Sequence, residues 1–263
     1  MLRRELTINF KSFLIWLSIT LSIFLISYLM YPSIIENNNI EMLNDMLKTF
    51  PEELLVAFNF DISNLDSVYG WLKSEGMVYL VLIVSCYSAN LGSTILLKEE
   101  NDKTIEYLNS LPISRSMILN SKVFAGLINI ICMILIIGIF NYIGLSLSCE
   151  FDKKQYFLLL FVPLLPSLVS YFGCLLISTF VNKTKKIIGF SFGIVLLSYV
   201  LYIISTMSET TRFIKYFSIF TLADLRNIIV NNELSILLII ISIVISMVFY
   251  IFTLIRYNNK DLI

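Results

Sequence analysis

Lys98-Glu99-Glu100-Asn101-Asp102-Lys103-Thr104-Ile105-Glu106-Tyr107-Leu108-Asn109-Ser110-Leu111-Pro112-Ile113-Ser114-Arg115-Ser116 is the densest charged and polar stretch of the chain, with a long apolar run on each side. Its order is specific. Acidic residues come first, at Glu99, Glu100 and Asp102. Thr104 then opens a short helical pattern that puts Ile105 and Leu108 on one side. Pro112 ends that pattern, because it has no N–H to give a helix and restricts the residue before it. Ser114 is placed to cap a new helix that runs on into the next apolar run. The pattern predicts a short helix across a membrane surface, its apolar side free to fill a groove on a soluble partner.

Working outward, six apolar runs are long enough to cross about 30 Å of hydrocarbon as helices. They cover 13–31, 77–97, 123–147, 156–180, 187–207 and 235–255, and none contains Asp, Glu, Lys or Arg. With 57% of the chain apolar, composition points to the membrane class. The expected fold is an all-α integral membrane protein, one transmembrane domain over 1–263 with six transmembrane helices. Leu2, Leu6, Phe10 and Phe13 recur at helical spacing, which predicts an N-terminal interfacial helix. Arg3 and Arg4 precede an apolar run as in a signal peptide. That run continues to Tyr31 with no small-residue cleavage site, so it reads as a retained first span. Pro163 and Pro166 predict a kink in the fourth run, tolerable where neighbours satisfy the freed carbonyls.

Basic residues orient the chain. With the N-terminus in the cytoplasm, 12 of the 19 Lys and Arg face inside. The short 181–186 loop, with Lys183, Lys185 and Lys186, is the strongest inside signal. Both termini and the 98–116 loop then face the cytoplasm of a multi-pass cell-membrane protein. The first outside loop, 32–76, carries eight acids, Glu75 among them, against two lysines. Ile40, Leu43, Met46, Leu47 and Phe50 recur there at helical spacing, and Pro51-Glu52-Glu53 suits a second helix start. These short extracellular helices read as a cover over the outer mouth, with direct substrate contact as the sharper alternative. A further amphipathic piece is expected from Phe213 to Val230.

Several chemistries are excluded. Lys+Arg and Asp+Glu balance at 19 each, so charge gives no hint of nucleic acid. There is no histidine, which removes Ser-His-Asp catalysis and the common zinc sites. Cys86, Cys132, Cys149 and Cys174 lack metal-ligand spacing. No Gly-x-x-x-x-Gly-Lys-Ser/Thr is present, so any ATP binds elsewhere. We therefore assign no catalytic, cofactor-binding or metal-binding residue. Glu99-Glu100 resembles the paired glutamates of CAAX-type membrane proteases. Those sites also carry an arginine soon after and histidines further on, whereas Lys103 and Thr104 follow here. An ion-coupled transporter or channel puts ionisable residues at membrane depth. The six runs offer only Asn90, Asn129 and Asn141 with scattered Ser and Thr, which more often bond neighbouring helices.

The loop also resembles a family. Glu99-Glu100, Thr104-Ile105-Glu106 and Leu111-Pro112-Ile113-Ser114-Arg115 are similar to the cytoplasmic loop of ABC-2 type permeases, the membrane subunits of ATP-driven exporters. Lys103 stands where glycine is common. The order of the apolar runs extends the resemblance over nearly the whole chain. It implies a permease, not an enzyme, with ATP and Mg on a separate cytoplasmic ABC ATPase. It also implies that the loop holds a coupling helix. The coupling residues are then Glu99, Glu100, Asp102, Thr104, Ile105, Tyr107, Leu108, Pro112 and Arg115. Gly189 and Gly193 form a Gly-x-x-x-Gly that lets a backbone approach closely. Packing within the chain and contact with a second permease copy are both open for it. The resemblance, which puts the first and fifth helices between permease halves, favours the copy, identical or related. Uncharged runs suit a hydrophobic or amphipathic cargo, with a bacteriocin-like peptide first and a lipophilic drug or lipid second. The rivals are an ATP-independent transporter or channel and a membrane-anchored immunity or interaction protein.

Overall fold

The computed structural model describes residues 1–36, 49–50, 67–98, 114–181 and 184–259. The described residues form helices and turns, with no strand among them. The helices are α1 (Leu2–Glu36), α2 (Val68–Trp71), α3 (Met77–Thr94), α4 (Arg115–Ser148), α5 (Lys153–Phe161), α6 (Leu164–Ser178), α7 (Thr184–Met207), α8 (Leu225–Asn231) and α9 (Ile236–Asn259). Among the described residues, six spans are long and apolar enough to cross a membrane. They are α1, α2 with α3, α4, α5 with α6, α7, and α9. The expected helices over 40–50 and after Pro51 fall largely on residues outside those described.

The helices begin and end where local chemistry dictates, often beyond the apolar runs. Ser114 caps α4, its hydroxyl accepting from the Met117 N–H at 3.3 Å. The third span therefore starts two turns before the run at 123–147. The second span also starts early. Ser67 caps α2 by accepting from the Gly70 N–H at 2.9 Å, and a π-helical turn, Leu72–Gly76, joins α2 to α3. Glu75 thus lies inside the helical segment Val68–Thr94, ahead of the uncharged run from 77, and not in an irregular loop. The N-terminal stretch expected at the interface is no separate helix. It is the first turns of α1, unbroken over 35 residues. Leu2 and Phe10 face outward there, while Glu5 and Asn9 are buried.

The fourth span is interrupted at Val162–Pro163, between α5 and α6. Proline cannot donate to the helix, and the chain bridges the gap with tighter bonds, Val162 N–H to the Leu159 carbonyl at 3.1 Å and Leu165 N–H to the Val162 carbonyl at 3.2 Å. The amphipathic piece expected over 213–230 is also broken. Ser218 and Asp224 each accept a backbone N–H and start a new element. The result is two 3-10 turns, Glu209–Phe217 and Ile219–Leu222, followed by α8.

α3 and α6 are the centre of the bundle; α7 packs on α3, α9 on α6, and α1 on α4. Between helices in lipid, close approach matters more than hydrophobicity, because acyl chains are as apolar as leucine. A Cβ on Gly92 would lie 2.2 Å from the Tyr171 carbonyl oxygen. Glycine is what lets α3 meet α6. The polarity is that of a membrane protein. Ile15, Leu29, Leu147, Leu197 and Leu237 are exposed, whereas Ser88, Ser170, Ser178 and Thr253 are buried. Those hydroxyls donate to carbonyls of their own helices at 2.6–2.7 Å, so these four side chains pack inside with their hydroxyls satisfied. Asn141 binds between helices, accepting from the Tyr28 hydroxyl of α1 at 3.3 Å.

Candidate functional site

Of the proposed coupling residues, Glu99, Glu100, Asp102, Thr104, Ile105, Tyr107, Leu108 and Pro112 lie outside the described residues. The two feet of their loop do not, and both are built into the end of the bundle that carries the chain termini. Lys98, at the first foot, donates from Nζ to Asn9 Oδ1 of α1. Asn9 Nδ2 in turn donates to the Glu5 carbonyl at 2.9 Å. At the second foot, two turns into α4, Lys122 Nζ lies 3.2 Å from each Glu5 carboxylate oxygen and donates to the Ile95 carbonyl at 3.0 Å. The end of the second span is thereby capped by a side chain of the third, and both are held to α1.

Glu5, Asn9 and Lys122 are each 1% exposed. At that depth a charge survives only when it is paired and its remaining donors are satisfied. Glu5 and the Ile95 carbonyl supply that to Lys122. Tyr171 of α6 adds a clamp, its hydroxyl donating to the Val123 carbonyl of α4 at 3.4 Å. A Cβ on Gly126 would fall 2.2 Å from that hydroxyl, so glycine makes room for the ring against α4.

Arg115 is exposed at the very start of α4. Its Nη1 donates to the Asn258 carbonyl at the end of α9, at 3.2 Å. One turn on, Tyr250 of α9 donates to Asn120 Oδ1 at 2.6 Å. The loop therefore leaves and re-enters the protein where α1, α3, α4, α6 and α9 meet. A cleft of ≈ 380 Å³ opens beside Ser114, with Leu2 and Phe124 among its walls.

Lys98 and Lys122 are two of the 12 basic residues that the orientation count places inside. A signal for their role existed on α1. Its buried stripe, Phe24, Thr20, Leu17 and Phe13, continues backward at helical spacing onto Asn9 and Glu5, two polar residues on an inward face.

Gly189 and Gly193 are not gathered into this site. Both are exposed on α7, and a Cβ at either would meet no atom within 4 Å. At the opposite end of the bundle, Gln155 is the junction. Its Nε2 donates to the Ile229 carbonyl at 3.1 Å and to Asn232 Oδ1 at 2.8 Å, and its Oε1 accepts from the Tyr69 hydroxyl at 2.9 Å. Asn232 ends α8 in the left-handed region, with φ 55°, a conformation asparagine tolerates better than most residues. Tyr69, Tyr142, Phe151, Tyr156 and Phe157 pack ring against ring around the junction.

A family model described as ABC-2 family transporter protein matches residues 10–262. No curated protein and no solved structure matches the chain.

Proposed function

The chain belongs to the ABC-2 transporter family, and we propose that it is the permease subunit of an exporter driven by a separate ATPase. Membrane subunits of this family are typically non-catalytic and work with an ATPase partner. In this reading the 98–116 loop carries a coupling helix that docks on the ATPase, and ATP and Mg stay on that partner. Both termini are cytoplasmic, and 1–263 forms one permease domain in the cell membrane. A second copy, identical or related, packs on the α7 face marked by Gly189 and Gly193. The cargo is hydrophobic or amphipathic, with a bacteriocin-like peptide ranked first.

One observation carries the coupling role. The loop's feet are tied to each other and to α1 through Glu5, Asn9, Lys98, Lys122 and the Ile95 carbonyl. A loop that only connects two spans needs no such anchoring. A loop that receives force does, because a push on it must move several helices and not bend one turn.

Co-purification tests the reading. Burying Leu108 in a groove is worth about 1.5–3 kcal/mol, so Leu108→Ala should weaken ATPase binding by about tenfold or more. Replacing Ile105 and Leu108 together by Asp should abolish both binding and transport while the permease still inserts. Glu99→Gln, at the exposed rim, should cost at most about 1 kcal/mol. Normal ATPase binding and substrate-stimulated hydrolysis by the double Asp variant in nanodiscs would overturn the coupling role.

A further inference from the structure

Glu75 differs from the charges at the terminal end. It is 6% exposed, and its Oε1 has no hydrogen-bond partner among the described residues. Among the buried side-chain atoms in that condition it is the only one on a carboxylate. A buried carboxyl without a partner is costly, and an ionisable group inside a span marks a functional position by default. Its place in the chain adds to this. Glu75 sits in the π-helical turn Leu72–Gly76, and such turns recur at functional sites.

Among the described residues no cation forms a salt bridge with Glu75. Lys73 Nζ lies over the Tyr69 ring, 5.5 Å from its centroid, and Arg226 is exposed on α8. Two tyrosines share an electrostatic interaction with the carboxyl. Tyr79 follows one turn along the same helix. Tyr199 belongs to α7, which packs on α3. Phe220 meets Tyr199 edge-on at 5.3 Å and fixes its ring. Tyr79 is 44% exposed and forms the rim.

This set suits one class of ligand. A hard metal ion asks for six or more oxygens, beyond what one carboxylate offers. A proton relay needs further ionisable groups along its path, and α3 beyond Glu75 has no Asp, Glu, Lys or Arg. An organic cation is satisfied by a carboxylate beside aromatic rings. We propose that Glu75, with Tyr79 and Tyr199, receives the ammonium or guanidinium group of an amphipathic cargo, at the end of the bundle opposite the termini. The proposal rests on the permease reading and gives its cargo a positive charge.

The test uses the full chain alone in nanodiscs, so its outcome does not depend on any ATPase. Two probes of matched size and opposite charge, radiolabelled tetraphenylphosphonium and tetraphenylborate, are measured by equilibrium binding after subtraction of empty nanodiscs. The wild-type chain should bind the cation and show no saturable site for the anion. Glu75→Gln removes the charge that attracts the cation and should weaken its binding by about tenfold or more, and Glu75→Asp should keep part of it. Undiminished cation binding by Glu75→Gln overturns the proposal. So does a wild-type chain that binds both probes alike or neither, a result that stands even if the variant fails to fold. Failure here with ATPase co-purification intact leaves the permease reading in place and removes only the cationic site.

Discussion

At the terminal end of the bundle, Glu5 and Lys122 join α1 to α4 through full charges, and both side chains are buried. At the opposite end, Tyr69, Gln155 and Asn232 join the second span, the fourth span and α8 through neutral hydroxyl and amide groups. The two devices resist disturbance differently. A buried ion pair is costly to open, because each charge left behind is desolvated and unpaired. A neutral network comes apart one bond at a time, each worth about 1 kcal/mol. The stiffer device sits where the 98–116 loop enters and leaves; the more yielding one sits near the carboxyl proposed to receive cargo.

Single substitutions at the pair should produce the largest effect and would break this contrast if they did not. Glu5→Gln or Lys122→Met should each destabilise the chain by about 3–5 kcal/mol, read as a lower midpoint of thermal unfolding in detergent. Replacing both, Glu5→Leu with Lys122→Met, should cost less than either alone, since no charge is then orphaned. An unchanged midpoint in either single variant would mean that the pair does not anchor the loop.

The centre of the bundle should respond less. Gly92→Ala pushes a methyl against a backbone oxygen, so α3 and α6 must separate, at about 1–3 kcal/mol. Gly193→Ala should leave unfolding unchanged, because open space surrounds it. Gly193→Leu should likewise leave the single chain folded while lowering crosslinking between copies through α7. Equal destabilisation by Gly92→Ala and Gly193→Ala would undo the distinction between inner and outer glycines.

The smallest effects belong to the neutral end. Gln155→Ala removes the nearer acceptor of the Tyr69 hydroxyl and leaves it the Asp152 carbonyl at 3.4 Å, so it should cost about 1 kcal/mol, as should Tyr69→Phe. Measured by the same unfolding assay, a Tyr69→Phe effect as large as that of Glu5→Gln would make the two ends equivalent.

Much of the architecture was legible in the sequence, for physical reasons that also explain the misses. Hydrocarbon thickness sets the length of an apolar run, so six runs gave six spans. Pro163 broke the fourth where a missing N–H must break it, and Ser114 capped α4 as a hydroxyl after a proline should. But a run ends at the first charge, whereas a helix ends at its cap. Ser67, and not Glu75, starts the second span, and so a carboxyl assigned to a loop lies inside it. The same difference hid Lys122, one residue short of the third run. The Gly92–Tyr171 contact left no trace, because a glycine's value depends on what faces it from another helix. Ser218 and Asp224 carry cap chemistry that interrupts the periodicity across 213–230.

The third span has a mechanical consequence. α4 runs 34 residues without a break, about 51 Å at 1.5 Å per residue. At Gly126 the Tyr171 ring bears on it, and a Cβ there would fall 2.2 Å from the hydroxyl. That contact lies about one third of the way along, counted from the loop. A rigid rod pivoting there is a lever with unequal arms, and its far end travels about twice as far as its near end. A displacement of about 1 Å at Arg115 becomes about 2 Å at Ser148 in the opposite sense. Under the proposed coupling role, a short stroke at the 98–116 loop would thus open a gap at the other end of the bundle wider than the push that caused it.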